Sequence, residues 1–209
     1  MISHKHKAIF VHIPKTAGQS IEQVFVDDLG LTWEERGPLL LRYNSDAALG
    51  PERLAHLYAD EYVELGHIDQ DQFSRYFKFA VVRNPYDRIL SEYRYRKFHR
   101  TGPLWWFLRK HYDNDRTDMA RHVAPQVRYL LDTDGHCLVD KIVHFESLND
   151  QIAPVFAHIF GEVRHLPLRN KSKHERRRLS RHDLSAKNRA LIHEMYRADF
   201  EFLGYDPDS

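Results

Sequence analysis

Cysteine is nearly absent from this sequence, and its scarcity excludes several classes of protein. The 209 residues include one cysteine, Cys137, so neither a disulfide framework nor a cysteine metal cluster can form within the chain. No apolar run is long enough to cross a bilayer. Because 31 basic residues nearly balance 30 acidic ones, we expect no nucleic-acid partner. The N-terminal residues lead into a predicted strand without a signal-peptide pattern, so we expect a cytoplasmic protein.

What the sequence does contain is an alternation of apolar strands and amphipathic helices. Its length and its composition, 42% apolar and 29% charged, suit one globular domain over residues 1–209. Strands are predicted at Ala8–Ile13, Tyr62–Leu65, Phe77–Val82, Lys141–Phe145 and Leu166–Leu168. Helices are predicted at Ser20–Leu29, Glu52–Asp60, Tyr86–Phe98, Leu104–His111, Thr117–Leu131, Leu148–Phe160 and Ser185–Ala198, with a loop at Leu31–Gly50. This alternation predicts an α/β fold, in which a short parallel β-sheet is flanked by helices.

The segment HIPKTAGQS, residues 12–20, joins the first strand to a helix through a turn of small residues. Ligands of parallel α/β sheets bind at the carboxyl ends of the strands, where a helix N-terminus favours a phosphate or sulfate. The residues predicted to form this anion cradle are Lys15, Thr16, Ala17, Gly18 and Ser20. The lysine precedes the glycine, so the segment is not a Walker A loop. The simpler alternative is a tight turn that carries an incidental lysine.

A second cation, Arg83, stands where the strand Phe77–Val82 ends. A Mg²⁺-dependent P-loop enzyme usually has an aspartate for the metal at the end of a neighbouring strand, whereas arginine favours an anion held by two hydrogen bonds. Ser91 lies eight residues further on and adds a hydroxyl group. The alternative for Arg83 is a salt bridge to Asp87. Cations at two strand ends favour one ligand with two anionic groups.

Together these segments resemble the sulfotransferases that use 3′-phosphoadenosine 5′-phosphosulfate (PAPS). HIPKTAGQS is similar to the family's 5′-phosphosulfate-binding loop, and VVRNPYDRILSEYRY, residues 81–95, is similar to its 3′-phosphate-binding segment. Weaker similarities are found in VHFESLND, LPLRNKSKH and IHEMYRADFEFLGYD, which begin at residues 143, 166 and 192. The chain departs from the family at Gln19, where threonine is common, and at Asn84, where an acidic residue is frequent.

The resemblance implies a P-loop NTPase-like sulfotransferase fold and the transfer of a sulfonate group from PAPS to an acceptor hydroxyl. The displacement would be in-line, would leave adenosine 3′,5′-bisphosphate (PAP), and would need no metal. By the same resemblance, Lys15 serves the leaving phosphate and Gln19 joins the cradle, while Arg83 and Ser91 bind the 3′-phosphate. The basic loop expected to close over the nucleotide contains Lys171, Ser172 and Lys173.

The segment ELGHIDQDQF, residues 64–73, resembles the Gly-His segment of glycan 2-O-type sulfotransferases. A carbohydrate acceptor is therefore predicted, with His67 as the candidate general base, because an imidazole accepts a proton near neutral pH. The reserve candidates for the base are His12 and Glu64. The other predicted acceptor-side residues are Gln126, which resembles a glutamine of the glycan-modifying members, and Trp105 and Trp106, which are candidate platforms for a sugar ring.

Two other functions remain open at this point. A small-molecule kinase would share the strand-turn-helix unit, although the Walker A spacing is missing. A non-catalytic nucleotide or polyanion binder would use the basic segment KHERRRLSRH, residues 173–182. The acceptor itself is also open, since a lipid, a peptide tyrosine or a small metabolite would present the same hydroxyl chemistry. Adenine contacts and oligomeric state are not predicted.

Overall fold

A computed structural model describes residues 1–110, 114–166 and 179–208 of the chain. Four strands of these residues form one sheet in the order β1-β2-β3-β4. They are β1 (Ile2–Ser3), β2 (Ala8–Val11), β3 (Phe77–Val82) and β4 (Lys141–His144). β2, β3 and β4 are parallel, while β1 pairs antiparallel with β2. The predicted α/β fold with a short, mostly parallel sheet is confirmed.

Ten α-helices accompany the sheet in the described ranges. They are α1 (Gly18–Asp28), α2 (Glu61–Glu64), α3 (Gln70–Arg75), α4 (Pro85–Tyr95), α5 (Leu104–Leu108), α6 (Asp118–Val123), α7 (Gln126–Leu130), α8 (Leu148–Phe160), α9 (Ala186–Met195) and α10 (Arg197–Leu203). Pro85 begins α4 and the Asn84 side chain accepts a hydrogen bond from Tyr86, as suits a helix start. Taken singly, none of the described helices has the length and apolar character that a membrane span requires.

The sheet carries an apolar core on each face, because side chains of a strand point alternately to its two sides. Phe79 and Val81 of β3 belong to the core that also contains residues of α1 and α8, such as Phe25 and Phe156. Their neighbours in β3 belong to the opposite core, whose buried members include Ala80, Val82, Tyr58, Tyr62 and Tyr129. The sheet is therefore packed on both faces, and in such a sheet the carboxyl ends of the strands are the usual place for a ligand.

The structure corrects several predicted elements. The predicted strand Tyr62–Leu65 is wrong, because these residues lie in and just after α2, whose first N–H donates to the Asp60 carboxylate. The predicted helix Glu52–Asp60 is reduced to a 3₁₀ turn at Leu54–His56. The predicted helix Thr117–Leu131 is divided into α6 and α7 before Pro125, which favours an extended preceding residue. Strand β1 and helices α3 and α10 were not predicted.

Candidate functional site

The carboxyl ends of β2 and β3 lie side by side, since Val11 pairs with Ala80 in the parallel ladder. Beyond these ends, the Arg83 Nη1 atom donates to the carbonyl oxygen of Lys15 at 3.3 Å. The two segments that the sequence singles out thus meet in space, although 68 residues separate them. A ligand at this edge has the Lys15 loop on one side and Arg83 on the other.

The loop after β2 forms a concave row of backbone N–H groups. Lys15 and Ala17 both have φ of 72°, in the left-handed region, whereas Thr16 between them does not. Such an alternation turns successive N–H groups toward one side, the backbone geometry that is typical of a nest for an anion. Among the described residues, the N–H groups of Thr16, Ala17 and Gly18 have no protein acceptor. Each left-handed non-glycine residue costs roughly 1–2 kcal/mol, and such strain concentrates at functional sites.

His12 fills the space beneath this loop. Its Nδ1 atom lies 2.6 Å from Oε1 of Glu22, and both side chains are buried. Burial raises the pKa of Glu22, but the charge and hydrogen bond of His12 outweigh it and lower that pKa. The ionised carboxylate therefore accepts from Nδ1, and Nε2 points toward the loop. A Cβ atom on Gly18 would lie 1.9 Å from His12 Nε2, so only glycine fits at this position.

Lys15 is half-buried at the mouth of the cradle. Its Nζ atom lies 3.9 Å from the centroid of the Tyr95 ring, at the end of α4. Burial lowers the pKa of Lys15, Glu92 opposes this effect, and nearby arginines lower the pKa further. A partly desolvated ammonium interacts strongly with an incoming phosphate or sulfate.

The backbone of Arg83 is held by the side chain of Gln126 at the start of α7. Gln126 Oε1 accepts from the Arg83 N–H, and Gln126 Nε2 donates to the Arg83 carbonyl oxygen, both at 2.8 Å. Asp199 in turn accepts from the Gln126 backbone N–H at 2.9 Å. Gln126, predicted to lie on the acceptor side, is fully buried here and positions the strand end. Asp87, the predicted alternative partner of Arg83, forms its ion pair with Arg181 at 3.3 Å.

Three buried or half-buried side chains, one from the turn Leu54–His56 and two from α6, converge behind Tyr95, and the sequence did not indicate them. Donor atoms of His56, Asp118 and His122 all lie within 4.8 Å of one another. Burial lowers the pKa of His56 to about 3, although Asp118 opposes the shift. Two nitrogens and one carboxylate oxygen are a set that zinc accepts. However, Arg53 Nε lies 3.3 Å and Arg96 Nη2 2.8 Å from the Asp118 carboxylate, so arginine already supplies the positive charge there.

His67 lies in the turn after α2, where Gly66 has φ of 71°. The predicted strand Tyr62–Leu65, if parallel, would bring His67 to the ligand edge of the sheet, but these residues belong to α2 and its end, so that expectation does not hold. Its Nε2 atom lies 2.9 Å from the carbonyl oxygen of Leu49. A carbonyl oxygen only accepts, so Nε2 carries the proton and Nδ1 is left with the free lone pair. His67 remains the predicted base, with Nδ1 as the atom that would accept a proton.

The remaining predicted site residues are distributed over several elements. The Thr16 hydroxyl donates to the carbonyl oxygen of Ile13 at 2.7 Å and so stabilises the loop. Ser91 is half-buried on α4. On α5, Trp105 and Trp106 are 43% and 44% exposed and contact Arg109 and Lys110. Gln19 is exposed, and Ala17 and Ser20 are half-buried at the start of α1. The predicted nucleotide-closing residues Lys171, Ser172 and Lys173 lie outside the described residues.

Comparison with known proteins agrees with this arrangement. The Sulfotransferase family matches residues 1–206, which is nearly the whole chain. No curated protein and no solved structure gives a significant match. Both segments that are predicted to bind anions, and the parallel sheet that brings them together, fall within the matched range. The chain belongs to the sulfotransferase family, whose members are enzymes that use PAPS as the sulfonate donor.

Proposed function

We propose that the protein transfers the sulfonate group of PAPS to a hydroxyl group of a carbohydrate by in-line displacement. The observation that carries the donor half of the proposal is the contact between Arg83 and the Lys15 carbonyl group, at 3.3 Å. It brings cations from two strand ends to one place. PAPS carries anionic groups at its 5′ and 3′ positions, so one molecule can engage both.

Different residues would bind the two anionic groups of the donor. The backbone N–H groups of Thr16, Ala17 and Gly18 and the Lys15 ammonium would bind the 5′-phosphosulfate. Negative charge grows on the leaving phosphate as the bond to sulfur breaks, so these donors stabilise the transition state more than the ground state. Arg83, with Ser91, would bind the 3′-phosphate through charge-assisted hydrogen bonds.

The acceptor half of the proposal rests on residues 64–73 and their resemblance to glycan sulfotransferases. His67 would remove the proton of the acceptor hydroxyl through Nδ1, since Nε2 donates to Leu49. Of the reserve bases, His12 is only 7% exposed beneath the loop, which disfavours contact with an acceptor. Glu64 is exposed on α2 and remains available.

An acceptor screen with sulfur-labelled PAPS tests this function. Oligosaccharides with free hydroxyl groups would be compared with tyrosine peptides, lipids and small metabolites, and we expect the label in the oligosaccharides. His67→Ala should reduce that transfer by roughly 10²–10⁴, the usual contribution of general-base catalysis, and should still bind PAP. His136→Ala is the matched control, since that side chain is 77% exposed and bonds only to Asp132 among the described residues.

Two results would count against the proposal. Label that enters tyrosine peptides or lipids, with none in any oligosaccharide, would refute the carbohydrate acceptor. His67→Ala with most of its turnover on the true acceptor would remove His67 from the role, and Glu64 and His12 would then be tested in the same way.

A further inference from the structure

Tyr95, the last residue of α4, contacts both the candidate site and the buried cluster behind it. Its ring centroid lies 3.9 Å from Lys15 Nζ. The same ring is stacked on the ring of His122, with centroids 5.8 Å apart and an interplanar angle of 15°. The side chain is 53% exposed, so the buried cores do not require an aromatic ring at this position.

The charges around Lys15 explain why an aromatic face matters there. Arg83, Arg94 and Arg96 all act to lower the pKa of Lys15, together with burial, which is the largest cause. Glu92 is the carboxylate that opposes them. Its two oxygens already accept from His122 Nδ1 and from Arg96 Nε, both at 2.7 Å. The negative face of the Tyr95 ring, with its centroid 3.9 Å from Nζ, therefore provides a favourable contact for the ammonium.

The His122 ring is itself fixed, and this in turn constrains Tyr95. His122 is buried, with Nδ1 bonded to Glu92 and Nε2 3.4 Å from Asp118. A ring that stacks on so constrained a neighbour loses part of its rotational freedom. Stacking on His122 thus keeps the Tyr95 ring in the position where it contacts the Lys15 ammonium.

We propose that Tyr95 is a positioning residue for Lys15, whose ammonium it holds at the mouth of the cradle until the donor phosphate takes the place of the ring. The proposal rests on the assignment of Lys15 to the donor. It gives the Tyr95 ring a role in holding a lysine whose charge is opposed by three arginines. Tyr95 itself need not touch the donor.

Two substitutions distinguish the effect of the aromatic ring face from that of the hydroxyl group. Tyr95→Phe keeps the face and removes the hydroxyl group, whereas Tyr95→Leu removes the face and keeps apolar volume. Phe202→Leu on α10 is the control, because that ring is 44% exposed and no described contact joins it to Lys15. Thermal unfolding checks that all three variants fold.

The first measurement is trace acetylation of Lys15 over a range of pH, read by mass spectrometry on the free protein. Loss of a cation–π contact should shift the protonation equilibrium of Lys15 toward the neutral amine about two- to fivefold. The pKa of Lys15 should therefore fall in Tyr95→Leu and stay at the wild-type value in Tyr95→Phe and Phe202→Leu.

The second measurement is the affinity for PAP as the pH rises. A lower pKa means that the ammonium is lost at a lower pH, so the alkaline loss of affinity should begin earlier in Tyr95→Leu. Equal profiles for Tyr95→Leu and wild type would overturn the proposal. So would a shift in Tyr95→Phe as large as that in Tyr95→Leu, because the hydroxyl group would then be responsible. Neither measurement uses an acceptor, so failure of the carbohydrate proposal would leave this result intact.

Discussion

The ends of β2 and β3 present positive charge in different ways. At the end of β2, the donors are backbone N–H groups and one lysine, and all of them lie within residues 12–20. At the end of β3, the donor is the long side chain of Arg83, and the backbone there is held by residues that are distant in sequence. Gln126 holds Arg83 itself, and Glu146 accepts from the N–H of the next residue, Asn84, at 2.7 Å.

This difference separates two tasks that one donor molecule imposes. On the proposed assignment, the backbone N–H groups of the Lys15 loop would lie against the reacting phosphate, as transition-state stabilisation requires. The guanidinium of Arg83 would bind a phosphate that does not react, so it would contribute to affinity. We therefore expect substitutions at the end of β2 to lower turnover, and substitutions at the end of β3 to lower the affinity for PAP.

The largest effect should come from Lys15→Ala. Removing a charged donor to the leaving phosphate should reduce turnover at saturating PAPS by roughly 10²–10³, with a smaller loss of PAP affinity. Single-turnover kinetics with labelled donor would separate the two quantities. Turnover that stays at the wild-type value would show that Lys15 serves only ground-state binding, and the contrast between the two strand ends would disappear.

Arg83→Ala should act on affinity instead. Loss of a charge-assisted contact should weaken PAP binding by about 2–3 kcal/mol, and adenosine 5′-monophosphate, which lacks the 3′-phosphate, should lose far less. Titration calorimetry with both ligands measures the difference. Arg75→Ala is the matched control, since that side chain forms an exposed pair with Asp71. An equal loss for the two ligands would refute the assignment of Arg83 to the 3′-phosphate.

The same contrast explains how much the sequence could predict. The β2 end is local, so its strand, turn and helix could be predicted from neighbouring residues. The β3 end depends on Gln126, 43 residues away, and on Glu146, 62 residues from Asn84. No periodicity reports such a pairing, and the resemblance assigned Gln126 to the acceptor instead. His56, Asp118 and His122 were missed for the same reason.

The wrong strand at Tyr62–Leu65 has a local cause. The short apolar segment before Gly66 suits a strand, but the Asp60 side chain caps the first turn of a helix there. Such short apolar segments are ambiguous between strand and helix. The error concerned the segment that leads to His67, so the expected position of the base at the sheet edge was affected with it.

Gln126→Leu should weaken PAP binding, as Arg83→Ala does, but by a smaller amount. The substitution leaves the Arg83 N–H and carbonyl groups without their side-chain partner, which costs about 1–3 kcal/mol of folding stability. PAP should bind more weakly because the Arg83 backbone is no longer held, while the Lys15 loop should keep its affinity for the 5′-phosphate. Denaturant unfolding and the two-ligand titration measure both effects. If adenosine 5′-monophosphate lost as much affinity as PAP, the two strand ends would not bind the 5′- and 3′-phosphates independently.

A chelator is expected to have no effect on sulfonate transfer, which makes this the smallest of the predicted effects. The two strand ends offer N–H groups, an ammonium and a guanidinium to an anion, so we expect the donor site to need no bridging cation. At His56, Asp118 and His122, two arginines already lie against the carboxylate, and a divalent ion would have to displace or repel them. Dialysis against EDTA should leave sulfonate transfer unchanged, and metal analysis of the dialysed protein provides the control. Activity that is lost and then restored by Zn²⁺ would make those three residues a metal site. Restoration by Mg²⁺ together with ATP turnover would favour a kinase, and the contrast between a lysine end and an arginine end would need another explanation.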